Sequence, residues 1–525
     1  MSGIALSDWQ QAAQCFAQGR FADARAILEN MLERDPHSAD AWLALGQVDI
    51  RSGEVQQATR HALAAARLHS DNPKTLIDIA AALLTVGEVL AARGCLERAA
   101  ALAPHDAALQ QYLALQYQNL GDHAAALAWM ERARASGMAD PGHRFALAIQ
   151  YTFHGRMADA EAELEQCVDL QPPFGQAMAQ LSQLRRQTPE RNHLEALARQ
   201  LTEVQPGSAD DAALEFARYK EFEDLRRFRE AWQSLRRANK AMHARLRHDP
   251  AAERRTFEAL ASCVDTLVRP PMRHVEGAIP VFIVGLPRSG TTLLDRLLGN
   301  HSQVVSAGEL GTFKRVLERV ANRFTRPMLD EAFVERIPRL DLAKAGELYL
   351  ANSQWRAQGA PFYVDKLPRN WLLVPLIKLA IPQARILHLT REPIAVAFSN
   401  YRSYFGSDYP YCYDEDTLIS HYLQYRRRLR DWHALLPGEI LDVSYEALVA
   451  DAEAEMRKVL AFCGLDWEPG CADLARNAGP VATLSAVQVR GQIQPGMADR
   501  WRDYAPQLAG LRERLDAAVA GDASP

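Results

Sequence analysis

No stretch of the 525-residue chain approaches the roughly 18 consecutive apolar residues of a membrane span. The best candidate, LLVPLIKLAIP, is interrupted by Lys378. Cysteine is scarce: Cys15, Cys95, Cys167, Cys263, Cys412, Cys463 and Cys471 are odd in number, widely spaced and form no C-x-x-C pair. That argues against a disulfide framework and a structural zinc site, and no metal is expected. Neither sign of charge dominates, with 60 Lys plus Arg against 65 Asp plus Glu for a net charge of −5. A polybasic nucleic-acid binder is thereby disfavoured, while local basic pockets are not. The opening MSGIALSDWQ has no basic segment followed by an apolar one, so no secretory leader is expected. The chain reads as soluble and cytoplasmic, without nucleic-acid or membrane partners. Its 48% apolar and 24% charged residues are ordinary globular composition, and the length suits two to four domains.

What is present begins with a repeat. Gly19, Gly53, Gly87, Gly121 and Gly155 recur every 34 residues. Each is followed five positions later by Ala24, Ala58, Ala92, Ala126 or Ala160, and preceded seven positions earlier by Ala12, Gly46, Ala80, Ala114 or Ala148. Pro36, Pro104 and Pro172 share the register. Glycine closes a helix in the left-handed conformation, small residues let paired helices approach, and proline stops the second helix. A 34-residue period marks helix-hairpin arrays. With Trp42, Leu45 and Gly46 supplying W-x-x-L-G, residues 5–175 resemble about five tetratricopeptide repeats.

Residues 176–277 stay helical in pattern but lose the register. They are expected to form a divergent repeat or capping pair, ending in a linker at RPPMRH (269–274). The arginines interleaved with Phe228, Ala231, Trp232 and Leu235 suit a solvated helix face better than a peptide-docking one.

From Ile279 the pattern changes. IPVFIVG reads as a strand buried on both faces, and FYVD (362–365), RILHLT (385–390) and EILDV (439–443) follow between helical segments. The fold class is therefore an all-α array followed by an α/β domain, residues 278–517, with a mainly parallel sheet covered by helices.

The sharpest motif is VFIVGLPRSGTTLLDRLL (281–298): a strand, a glycine-framed loop and a helix, whose amides can converge on an anion. Its G-x-x-x-x-G-T-T spacing is P-loop-like, but Thr291 stands where nucleoside triphosphatases carry lysine. ATP hydrolysis or an ATP-dependent kinase is disfavoured on that ground.

PRSGTTL (287–293) resembles the 5′-phosphosulfate loop of sulfotransferases in the form found in protein-tyrosine sulfotransferases. LHLTREPIAVAFSNY (387–401) is similar to their 3′-phosphate segment, and VSYEALV (443–449) to a segment beside the nucleotide, with Ser444 replacing an arginine. Repeats followed by such a domain resemble bacterial tetratricopeptide-repeat sulfotransferase proteins. The resemblance implies 3′-phosphoadenosine 5′-phosphosulfate as donor, held by Arg288, Ser289, Gly290, Thr291, Thr292, Arg391, Ser399 and Tyr445. TLSAVQVRGQIQPGMADRW (483–501) resembles the nucleotide-covering loop loosely, adding Ser485 and Arg490.

Within that resemblance the catalytic set is Arg288 and Lys366 as cations on the leaving phosphate and Glu309, in SAGEL, as general base. His301 and Asp365 are weaker base candidates. Lys366 could instead simply pair with Asp365. The basic run Arg426, Arg427, Arg428 and Arg430 is read as a solvated helix face before an anionic acceptor path.

The implied activity is transfer of a sulfuryl group to an acceptor hydroxyl, on a protein, a peptide or another compound. A repeat scaffold carrying a degenerate domain is the alternative, opposed by intact Arg288, Lys366, Glu309 and Arg391. A repeat groove can bind substrate, dock a partner or mediate self-association. Since every phosphate motif follows Ile279, the array is expected to select the acceptor without building the donor site.

Overall fold

This computed structural model describes residues 3–102, 105–267, 277–477, 479–487, 489 and 499–522. The linker expected at 269–274 and Arg490 lie outside the described residues. No helix among the described residues is long and apolar enough to cross a membrane.

Five helix hairpins form the array: α1 (Gly3–Ala17), α2 (Phe21–Arg34), α3 (Ala39–Ser52), α4 (Val55–Arg67), α5 (Pro73–Thr85), α6 (Val89–Ala101), α7 (Ala107–Leu120), α8 (His123–Ala135), α9 (Pro141–Phe153) and α10 (Met157–Leu170). The register residues do what their chemistry suggests. Gly87 takes φ 82° in the turn between α5 and α6, and Ala80, Ala92, Ala114, Ala126, Ala148 and Ala160 are fully buried at the helix crossings.

Five more helices follow: α11 (Gly175–Gln183), α12 (Leu194–Glu203), α13 (Ala209–Asp224), α14 (Phe228–Leu246) and α15 (Pro250–Val264). The α13–α14 hairpin is not a cap facing water. Leu214 and Ala217 on α13 join the array's core, whereas Phe216 and Tyr219 on the same helix join the core of the α/β domain. Phe228 and Trp232 on α14 pack on Tyr504, with ring centroids 5.3 and 6.1 Å away. Arg218 on α13 and Arg237 on α14 both pair with the buried Glu215, at 2.5 and 2.7 Å.

The α/β domain runs β1 (Ile279–Gly285), α16 (Thr291–Leu298), β2 (Val304–Ser306), α17 (Thr312–Val320), α18 (Glu331–Val334), α19 (Leu342–Ser353), β3 (Phe362–Asp365), α20 (Val374–Ala380), β4 (Arg385–Thr390), α21 (Pro393–Tyr401), α22 (Glu415–Leu435), β5 (Ile440–Ser444), α23 (Tyr445–Ala450), α24 (Ala452–Cys463) and α25 (Ala505–Asp522). The four expected strands are present, and the sequence reading missed only the three-residue β2. The strands are parallel in the order β2-β3-β1-β4-β5. Succession reverses between β3 and β4 on either side of β1, so β1 ends at the switch point where open parallel sheets bind ligands.

The basic run lies on a partly exposed helix face, and its arginines also have partners. Arg427 and Arg430 both reach Asp522 at the end of α25, and Arg428 donates to the Phe257 carbonyl of α15 at 2.9 Å. These arginines clamp two helices onto α22.

The array's turns dock in succession along the α/β domain. Asn322 Nδ2 donates to Glu54 at 2.7 Å, and the Gln56 amide donates back to Asn322 at 2.9 Å. In the next repeat Glu88 pairs with Arg319, and the Val89 amide donates to Asn352 at 2.8 Å. In the one after that Arg356 donates to the Leu120 carbonyl. A Cβ on Gly87 would lie 2.8 Å from Arg315 Cβ, so glycine there serves close approach as well as backbone conformation.

Candidate active site

The loop after β1 is built on backbone that side chains resist. Gly285 takes φ 150° and Gly290 φ 113°, and a Cβ on Gly290 would meet the Tyr445 ring at 2.4 Å. Gly290 caps α16 with no side-chain hydrogen bond. The amides of Thr291 and Thr292, the first two of that helix, are therefore left without a side-chain cap at its N-terminus, as an anion cradle requires.

Arg288, itself at φ 66°, projects from this loop. Its Nη1 donates to Ser485 Oγ at 2.6 Å, while Arg391 Nη1 donates to the Arg288 carbonyl at 2.9 Å. The Arg391 guanidinium lies 4.4 Å from the Tyr445 ring centroid. Burial, together with the neighbouring Arg402 and Arg391 charges, lowers the Arg288 pKa to about 10. Concentrated positive charge with little water is a setting that favours a phosphate.

Glu309 and Lys366 meet through an extension of the β2–β3 pairing. Ala307 N–H donates to the Val364 carbonyl and Lys366 N–H to the Gly308 carbonyl, both at 2.9 Å, laying residues 307–310 beside the end of β3. Lys366 Nζ then donates to Glu309 Oε1 at 2.5 Å. The lysine side chain is 2% exposed and the glutamate 37%, so the carboxylate faces the cavity and the ammonium stands behind it.

Asp365 is not Lys366's partner. It is fully buried, accepts from the Tyr349 hydroxyl at 2.9 Å, and accepts a longer 3.4 Å contact from the Leu310 amide. Burial raises its pKa from 3.8 to about 7, against the opposing hydrogen bond from Tyr349. Because the folded value is the higher one, the native state retains a proton that the unfolded chain has lost between about pH 4 and 7. This stabilising contribution is full below about pH 4 and gone above about pH 7. Asp365→Asn should flatten that part of the curve, measured as urea midpoints at pH 5 and pH 8. An unaltered pH dependence in the variant would assign the effect elsewhere.

Arg288, Gly290, Thr291, Thr292, Glu309, Arg391, Ser399, Tyr445 and Ser485 all line one cavity of about 650 Å³. Two expected members do not line it. Ser289 turns its buried hydroxyl under the loop toward Gly285, and Lys366 is sealed behind Glu309. His301 is structural: its Nε2 pairs with the Asp466 carbonyl at 2.9 Å, at the far end of α16 from the loop.

The sequence reading missed Asp295. This carboxyl is buried on α16, raised in pKa by desolvation, and feels the Lys366 and Glu309 charges. Its spacing of four from Thr291 was a signal, since it lies one helical turn behind the cradle.

The array also reaches the cavity. Phe145 and Phe153 of α9, with Gln180 of the following α11, line the same cavity as Arg288. Val481 N–H, just before the segment holding Ser485, donates to the Phe153 carbonyl at the end of α9 at 2.8 Å.

Residues 280–469 match the model of the sulfotransferase family, and residues 16–64 match that of the tetratricopeptide repeat. An uncharacterized protein of Aquifex aeolicus (strain VF5) is 32% identical over 317 residues, 58% of this chain and 41% of its own. This chain thus spans about two fifths of that relative's length. A Caenorhabditis briggsae protein named "Putative protein-tyrosine sulfotransferase" is 25% identical over 237 residues, 42% of this chain and 80% of its own. The solved sulfotransferase domain of the Synechococcus PCC 7002 olefin synthase is similar with TM-score 0.32 and 24% identity, covering 45% of this chain and 90% of that one.

Proposed function

Proceeding from a sulfotransferase-family domain joined to a tetratricopeptide array, we propose that the chain transfers a sulfuryl group from 3′-phosphoadenosine 5′-phosphosulfate to an acceptor hydroxyl. The observation that carries this reading is the convergence of the glycine loop, Arg391, Ser399 and Glu309 on a single cavity. The residues suit the donor. The side-chain-free N-terminus of α16 and Arg288 accept the 5′-phosphate end, and Arg391 and Ser399 accept the 3′-phosphate. Bound there, the donor supplies a sulfuryl group already joined to a phosphate leaving group.

The protein's own work is then electrostatic and positional. Arg288 and the helix terminus hold the negative charge that develops on the leaving oxygen. Glu309, oriented by its ion pair with Lys366, takes the proton of the acceptor hydroxyl. Lys366 is a positioning residue in this arrangement, because its ammonium does not line the cavity.

Calorimetry with adenosine 3′,5′-bisphosphate and with AMP tests the donor assignment. Arg391→Ala should weaken the bisphosphate by about 1.5–3 kcal/mol, roughly 10- to 150-fold, and AMP far less. Ser399→Ala should narrow the same difference while leaving the Arg391 contact to the Arg288 carbonyl in place. Equal affinities for the two nucleotides in the native protein would remove the 3′-phosphate site.

A further inference from the structure

The phosphate motifs account for only one side of the cavity. On the other side α9 turns Phe145, Ile149 and Phe153 inward, and α11 turns Gln176, Gln180 and Gln183. Both sets follow helical spacing, so each helix presents one face to the cavity. Opposite them stand Tyr404, Phe405, Tyr409 and Arg369 of the α/β domain. Phe405 meets Tyr409 edge-on at 4.9 Å, and the Arg369 guanidinium lies 4.7 Å from the Tyr409 ring centroid. The Gln176 side chain lies beside the Tyr404 hydroxyl across the seam between α11 and the α/β domain.

Resting on the sulfuryl-transfer reading, we propose that this side is the acceptor chamber and that α9 and α11 form one of its walls. The acceptor it takes is a compact hydroxyl compound with a flat apolar body, not a folded protein seated on the array.

Size, chemistry and position each support this. The entire cavity, donor side included, is about 650 Å³, within the roughly 300–1,000 Å³ of small-ligand sites. A folded partner would need on the order of 800 Å² of open surface instead. Aromatic walls receive a flat ring through offset or edge contacts. Carboxamides repeated along one helix face both donate and accept, so they suit polar substituents at the rim of such a ring. Glu309 opens into the same space, which brings a hydroxyl held there to its base. A second hollow, within the array and lined by Trp42, Gln47 and Tyr112, shares no residue with this cavity.

The test uses the full chain saturated with adenosine 3′,5′-bisphosphate, so that the donor side is filled. Calorimetric titration with 2-naphthol, p-nitrophenol and n-octanol should show both aryl compounds binding at least tenfold more tightly than the alkyl one. Phe145→Leu, which removes the ring face but keeps an apolar side chain, and Gln180→Ala should each weaken aryl binding about tenfold. Bisphosphate affinity should change less than twofold in either variant. Gln47→Trp, which fills the other hollow, should change neither. The proposal is overturned by absent binding of all three probes, by n-octanol binding as well as the aryl compounds, by indifference to both cavity variants, or by loss in Gln47→Trp. Failure of the sulfuryl-transfer reading would appear earlier and separately, as no binding of the bisphosphate.

Discussion

Glu309→Gln should slow sulfuryl transfer by roughly 10²–10⁴-fold, the range of a general base, while bisphosphate affinity stays the same. The glutamine keeps the shape that accepts from Lys366 Nζ but loses the basicity that removes the acceptor proton. Lys366 offers the sharper comparison. If it acted directly on the leaving phosphate, Lys366→Met would weaken the donor and its cost would add to that of Glu309→Gln. Its side chain is 2% exposed and spent on Glu309, so the expected result is slower transfer with donor affinity intact. The double variant should be scarcely slower than Glu309→Gln alone, because coupled residues are not additive. Additive costs would return Lys366 to the leaving phosphate, and unchanged turnover in Glu309→Gln would give the base role to another group.

Glu223→Ala carries the largest expected loss of stability. Glu223 on α13 pairs with Arg402 at the end of α21, and the two side chains are only 11% and 16% exposed. Burial alone would lower the arginine's pKa, but the Glu223 charge and the flanking Tyr219 overcome it, and the net shift is upward. Removing the carboxylate leaves a buried guanidinium unmatched, which costs about 3–5 kcal/mol. Arg402 also lines the cavity with Arg288 and Arg391, so its released charge adds repulsion among like charges. Urea unfolding should show a clearly lower midpoint, and Arg402→Met in the same chain should restore much of it. A loss below about 1 kcal/mol would place the pair among weak surface bridges.

Backbone requirements were legible in the sequence, whereas partnerships were not. The 34-residue glycine register could be read because a left-handed helix ending penalises every side chain but hydrogen. The phosphate loop was readable for the same reason at Gly285 and Gly290. Arg391, Ser399 and Tyr445 could be placed from motif order, and they share the cavity. The Glu309–Lys366 pair was not readable, since the two are 57 residues apart and meet only through a short strand the pattern did not reveal. The partner that Arg427 and Arg430 share was not readable, because nothing local to α22 announces Asp522. The stripe Gln176, Gln180, Gln183 resembles an ordinary polar helix face until the domain opposite it is in place.

Helix α13 has a consequence for the order in which the chain becomes structured. Chains emerge from the ribosome N-terminus first, at about 5–20 residues per second, and early domains begin to fold while later ones are still being made. The array can gather Leu214 and Ala217 as soon as α13 appears. Phe216 and Tyr219, on the other side of that helix, must wait for residues beyond 279 to cover them. During that interval the nascent array carries an uncovered aromatic strip, a surface to which chaperones bind and at which neighbouring chains stick. The two halves are thus distinct in sequence but share a helix in assembly, and producing them as separate polypeptides should yield soluble protein only when both are synthesised together.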